Sequence, residues 1–205
     1  MQITHHLQAP QLTGQANRIS EAFGAAMWLW MQLPRHRHLA LTNPEARLLE
    51  PIRQGQYVLA CTGKTNRQRN PVALLLYACL NARAESRYLR DPTAALPAGD
   101  WRSGDRLWLI DWVSPFGQSL QLRQPMLYLF ARQTARSLPR HPQGGPSASR
   151  VNTWRGDTCT RDAAAAWWKE RPILNGPRST PSWPVATHWE PTVPAELLHP
   201  GVTFA

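Results

Sequence analysis

An α/β fold, with a mixed central sheet flanked by helices, is what this sequence predicts, and three observations carry that reading. Phe23, Met27, Trp30 and Met31 recur at helical spacing near the start of the chain. Two apolar runs, Gln56 to Thr62 and Pro71 to Cys79, are joined by a polar, turn-forming stretch and read as a hairpin. A third run, Leu107 to Val113, is apolar and aromatic except for one carboxylate, Asp111. Helix, hairpin, strand and helix in that order describe layers of helix on sheet.

The elements follow in turn. Residues 1–17 are polar, contain Pro10 and show no sustained period, so they read as a flexible N-terminal arm. Ser20 is a natural N-cap for the first helix. Pro34 ends that helix, because a proline pushes the residue before it out of the α region. His36 then falls in a turn just past the helix end. Leu39 to Arg53 reads as a second helix broken around Pro44 and Pro51. The hairpin follows, then a helix over Ala82 to Leu89 and a loop over Asp91 to Asp105. Leu107 to Val113 is the central strand, closed by Ser114-Pro115-Phe116-Gly117. A helix from Ser119 to Ser137, interrupted at Pro125, comes next. Residues 137–149, with three prolines and two glycines, read as a flexible connection. A strand over Val151 to Arg155, a helix over Asp162 to Arg171 and an irregular Pro/Trp-rich tail over 172–205 complete the chain. The division expected is an arm (1–17), one folded domain (18–171) and a tail (172–205).

Composition narrows the function classes. No run approaches the ~20 apolar residues that span a bilayer, and the N-terminus lacks the charged-then-apolar pattern of a secretory signal. Three widely spaced cysteines, Cys61, Cys79 and Cys159, form neither a disulfide framework nor a metal cluster and point to a reducing, cytoplasmic setting. The net charge is +10, carried by 21 arginines and only Lys64 and Lys169. Such a surface suits an acidic partner, whether protein, nucleic acid or anionic lipid. His5, His6, His141, His188 and His199 show no ligand spacing of a metal site. Gly63-Lys64-Thr65 lacks the earlier glycine of a phosphate-binding loop.

Asp111 is the anomaly that points to chemistry. An unpaired carboxylate in an apolar strand is costly, so it requires a partner, and a histidine distant in sequence is the best candidate. The segments Trp28-Leu29-Trp30, Pro34 to Arg37, Gly55-Gln56-Tyr57, Pro71-Val72-Ala73, Tyr88-Leu89, Asp100-Trp101, Ser103 to Arg106 and Trp108 to Gly117 follow one another in this order along the chain, with one extended loop near residues 63–70. Over roughly residues 24 to 171 that order resembles the RTX toxin-activating lysine acyltransferases.

The resemblance implies a fold similar to the GCN5-related N-acetyltransferases. It also implies transfer of a fatty acyl chain from acyl carrier protein to lysines of an RTX-type protoxin. His36 takes the position of the general base and Asp111 that of the carboxylate that orients and stabilises it. A lysine amine with pKa near ~10.4 must lose a proton to attack a thioester, and a histidine near ~6.5 can accept it. The acyl group would arrive on the phosphopantetheine arm of the carrier as a co-substrate, with no tightly bound cofactor and no metal. A homodimer is implied as well, but no nucleic acid and no membrane span. Arg35 and Arg37, beside the base, are candidates to meet the acidic carrier. An acyl-cysteine route is disfavoured, since Cys61 and Cys79 lie in apolar strands. Asp105 and Arg106 read as a pair that fixes a loop.

Three positions depart from the family pattern: Leu33 where serine is common, Arg47 where asparagine is common, and Tyr77 within the second strand. Two rival readings stand beside this one. The first is a related acyltransferase with another acceptor. The second is a basic, non-catalytic module that binds an acidic partner, which leaves His36 and Asp111 unexplained.

Overall fold

The fold comes from a computed structural model, which describes residues 5–34, 36–38, 43–63, 69–117, 119–139, 150–174 and 202–204. Seven strands form one mixed sheet: β1 (His5–Gln8), β2 (Tyr57–Thr62), β3 (Asn70–Leu80), β4 (Arg106–Val113), β5 (Thr134–Ser137), β6 (Asn152–Arg155) and β7 (Val202–Phe204). Their order across the sheet is β6-β5-β4-β3-β2-β1-β7. β1 to β4 pair antiparallel in succession, as do β5 and β6, while β4–β5 and β1–β7 are parallel. The helices named among the described residues are α1 (Pro10–Thr13), α2 (Ile19–Met31), α3 (Glu50–Arg53), α4 (Ala82–Arg90), α5 (Ser119–Tyr128) and α6 (Arg161–Glu170). A π-helical turn, Glu45–Leu49, leads into α3. The expected α/β class, with helices on both sides of a mixed sheet, is what the chain adopts.

The two faces of β3 divide the core. Leu74 and Leu76 point to one side, where they pack with Leu29, Trp30, Leu48 and Ile52 of the α2–α3 layer. Ala78 and Leu80 continue that face toward α4, against Tyr88, Trp101 and Trp108. Leu75 and Tyr77 point to the opposite side, onto Leu122 and Met126 of α5 and onto Leu7 of β1. Burial of each such large apolar side chain contributes about 1.5–3 kcal/mol, so the sheet is stabilised from both faces.

Several local expectations are corrected. The stretch assigned to a flexible arm instead supplies β1, which pairs from His5↔Thr62 to Gln8↔Leu59 and buries Leu7 completely. A four-residue strand with one inward apolar side chain is too short to show a period; its pairing with β2 stabilises it. The first helix begins at Ile19 with Arg18 at the cap, and its buried stripe is Ala22, Ala26, Leu29 and Trp30. Phe23, Met27 and Met31 flank that stripe as partly buried neighbours. The helix expected to reach Ser137 stops at Tyr128, and Thr134–Ser137 becomes β5, a parallel neighbour of β4. Within the tail, Val202–Phe204 pairs with β1.

Asp105 and Arg106 do not pair with each other. Asp105 accepts a 2.8 Å bond from Nε of Arg171, and Arg106 donates at 2.7 Å to Glu85.

Candidate active site

β4 is not a regular strand. Leu76 of β3 faces Asp111 and Tyr77 faces Leu109, so Ile110 is an extra residue, a β-bulge. Alternation counted from Trp108, which faces α4, would send Asp111 to the α5 side of the sheet. The bulge resets the phase by one residue, so that Asp111 and Val113 join Leu74 and Leu76 on the α2 side. Ile110 also stays on that side, where it packs against both core clusters.

The other half of the site comes from the end of α2. After Met31 the chain makes a tight turn, in which the amides of His36 and Arg37 both bond the carbonyl of Leu33 at 3.0 Å. This directs the imidazole of His36 inward, where it is 1% exposed. Its ring lies against the indole of Trp30, with centroids 5.3 Å apart. Nε2 sits 2.7 Å from Oδ2 of Asp111 across 75 residues of sequence. An ionised carboxylate only accepts, so Nε2 carries the proton and Nδ1, on the other side of the ring, is the basic nitrogen. Both side chains are buried, where charge-assisted hydrogen bonds are strongest.

Arg47 belongs to the π-helical turn and is anchored on the carbonyl of Thr93. Burial lowers its pKa, whereas the carboxylates of Asp91 and Asp111 raise it, so Asp111 lies within the electrostatic reach of this guanidinium. Arg37 is exposed and donates to the carbonyl of Met31 at 3.2 Å. Arg35 lies outside the described residues. Leu33 is a partly buried neighbour of the α2 core, and Tyr77 points to the far side of the sheet, edge-on to Phe130.

Cys61 is buried in the α2-side core, where desolvation pushes its thiol up to about 11. Burial also raises Cys79. Thiols held neutral in this way are poor nucleophiles. Among the described residues, no group of three or more His, Cys, Asp or Glu is arranged to hold a metal ion. No described helix is long and apolar enough to cross a membrane. A cavity of about 370 Å³, lined by Gln11, Gln56, Tyr77, Cys79, Arg102 and Gln133, opens on the α5 side, across the sheet from His36 and Asp111.

A second buried cluster escaped the sequence reading. Glu85 of α4 is completely buried and accepts from Arg106 at 2.7 Å, from the indole of Trp108 at 2.9 Å, and from Arg136 of β5. Arg136 in turn bonds the carbonyl of Arg171 and lies over the ring of Trp167 at 5.0 Å. This cluster ties α4, β4, β5 and the end of α6 together. The signal was present: Glu85 shares a helix face with Ala84, Tyr88 and Leu89, the same apolar-context anomaly that singled out Asp111.

Residues 15–155 match the RTX toxin acyltransferase family. The protein-lysine palmitoyltransferase CyaC of Bordetella bronchiseptica is 36% identical over 161 residues, covering 78% of this chain and 81% of that protein. The leukotoxin-activating lysine-acyltransferase LtxC of Aggregatibacter actinomycetemcomitans is 32% identical over 150 residues, 73% of this chain and 84% of the relative. The RTX-I toxin-activating lysine-acyltransferase ApxIC of Actinobacillus pleuropneumoniae is 39% identical over 118 residues, 58% of this chain and 65% of the relative, just under two thirds of its length. With a match over most of its length and relatives of this identity, the chain belongs to the RTX toxin acyltransferase family.

Proposed function

We propose that this protein transfers a fatty acyl group from acyl carrier protein to the side-chain amine of lysines in an RTX-type protoxin, with His36 as general base. The observation that carries the reading is the buried His36–Asp111 pair at 2.7 Å, assembled from two distant segments of a chain in this family. The related proteins named as lysine palmitoyl- and myristoyltransferases support the reaction class.

The step is direct transfer. The lysine amine attacks the thioester carbonyl, and Nδ1 of His36 takes the proton the amine sheds as the C–N bond forms. Asp111 on Nε2 holds the tautomer and stabilises the imidazolium. The tetrahedral intermediate collapses, the C–S bond breaks, and the imidazolium returns its proton to the departing pantetheine sulfur. The products are an acyl-lysine amide and the free thiol of the carrier. Neither a metal nor an acyl-cysteine is required, and the pKa of Cys61 near 11 argues against the latter. The net charge of +10 suits an acidic carrier protein, with Arg35 and Arg37 as contacts beside the base. A cytoplasmic homodimer is part of the same reading.

The test is to incubate the protein with acylated carrier protein and a protoxin and to map acyl-lysine by mass spectrometry, beside His36→Ala. Transfer that disappears in the variant supports the assignment. Equal transfer by both proteins rejects His36 as the base.

A further inference from the structure

Among the described residues, large apolar side chains that remain exposed are Ile19, Trp28, Phe116, Tyr128 and Leu174. Isolated ones are ordinary on any surface. Trp28 and Phe116 are not isolated: they are 45% and 43% exposed, and their rings touch, with centroids 5.3 Å apart and planes at 37°. Trp28 lies in the last turn of α2, the helix that leads to His36. Phe116 follows β4 five residues after Asp111. Each of the two elements that deliver the buried pair therefore also delivers one half of an exposed aromatic shelf. Leu29 and Trp30, next to Trp28 in the chain, and Val113, three residues before Phe116, belong to the α2-side core.

We infer that Trp28 and Phe116 form the docking surface for the acyl chain of the donor thioester. This rests on the function proposed above. A thioester delivered to the His36–Asp111 pair brings a hydrocarbon tail that needs apolar surface on the elements carrying that pair, and a saturated tail is recognised by apolar area alone. Each methylene removed from water is worth about fourfold in affinity. Two half-exposed aromatic rings in contact offer apolar area for about three or four methylenes. The shelf carries no charge of its own, so it does not fit the polar pantetheine arm or an acidic protein face.

The test compares S-decanoyl-pantetheine with S-butyryl-pantetheine by isothermal titration calorimetry on the full chain. It uses wild type, the double variant Trp28→Ser/Phe116→Ser, and Tyr128→Ser as an exposed-aromatic control. Both shelf residues are half in solvent, so the double variant should keep its far-ultraviolet spectrum, which is checked first. Wild type and Tyr128→Ser should prefer the decanoyl probe by at least about tenfold, and the double variant by no more than about threefold. A double variant that keeps the wild-type preference overturns the inference, as does wild type with no preference, or Tyr128→Ser losing as much. A double variant that turns from dimer to monomer on size exclusion while keeping its preference also overturns it, and assigns the shelf to a second copy of the chain. Acyl transfer is measured on the same samples. Chain preference lost in the variant without lysine transfer by wild type sinks the proposed function and leaves the shelf. Transfer with an unchanged preference does the reverse.

Discussion

Replacing Asp111 by asparagine removes a charge from the site and almost nothing else. The two side chains are nearly the same size, and Arg47, which lies within electrostatic reach of Asp111, keeps Asp91 as a second carboxylate. In the proposed transfer the cost arises when the imidazole is protonated during attack. With Nε2 and Oδ2 2.7 Å apart, the charge centres of imidazolium and carboxylate lie about 4 Å from each other. At an effective dielectric near 20 their attraction is about 4 kcal/mol, which corresponds to about a thousandfold in rate. Part of this is retained, because the asparagine oxygen still accepts from Nε2. The expected result is a fall in kcat of about 10²–10³ with KM for the acylated carrier and the protoxin little changed, since neither substrate is required to touch Asp111. The assay is the steady-state rate of acyl-lysine formation, with thermal unfolding as the control for folding. A fall in kcat of less than about tenfold would refute the electrostatic role of Asp111.

Other outcomes follow from the packing and the charges. Glu85→Gln leaves the guanidinium groups of Arg106 and Arg136 buried without their carboxylate, so unfolding in urea should show a loss of about 3–5 kcal/mol; a loss below about 1 kcal/mol would mean the cluster is not a stabilising unit. Gly24→Ala adds a methyl to open space inside α2 and should stabilise by about 0.5–1 kcal/mol. Gly156→Ala drives a Cβ into the backbone of Ala131 and Phe130 and should destabilise by about 1–3 kcal/mol or more; equal melting temperatures for the two glycine variants would contradict the packing. Asp105 is held below the usual carboxylate range by hydrogen bonds from Arg171, so its contribution to stability is present above the unfolded carboxylate pKa and is lost as pH falls through the folded one. The melting difference between wild type and Asp105→Asn should therefore be small at pH 7, because the pair is exposed, and should shrink in acid. A difference that holds constant to low pH would show that the charge contributes nothing.

The sequence by itself determined the layers and the anomaly. Hydrophobic period placed the first helix, the hairpin strands and β4 close to where they lie, because each is long enough for its buried face to dominate its own preference. The cost of a carboxylate among apolar residues marked Asp111, and the resemblance to a known family in the order of motifs singled out His36. What only the tertiary structure decided are features with no local period. β1 and β5 are four residues each and gain their stability from hydrogen bonds to strands far away in sequence. Glu85 is buried because two arginines from other strands converge on it, which no helical window contains. Most consequential is the bulge at Ile110. Side-chain direction in a strand has period two, so one inserted residue, set by pairing with β3, reverses every face beyond it. The apolar context and the family resemblance pointed to the two residues; the register of β4 on β3 turned Asp111 toward His36.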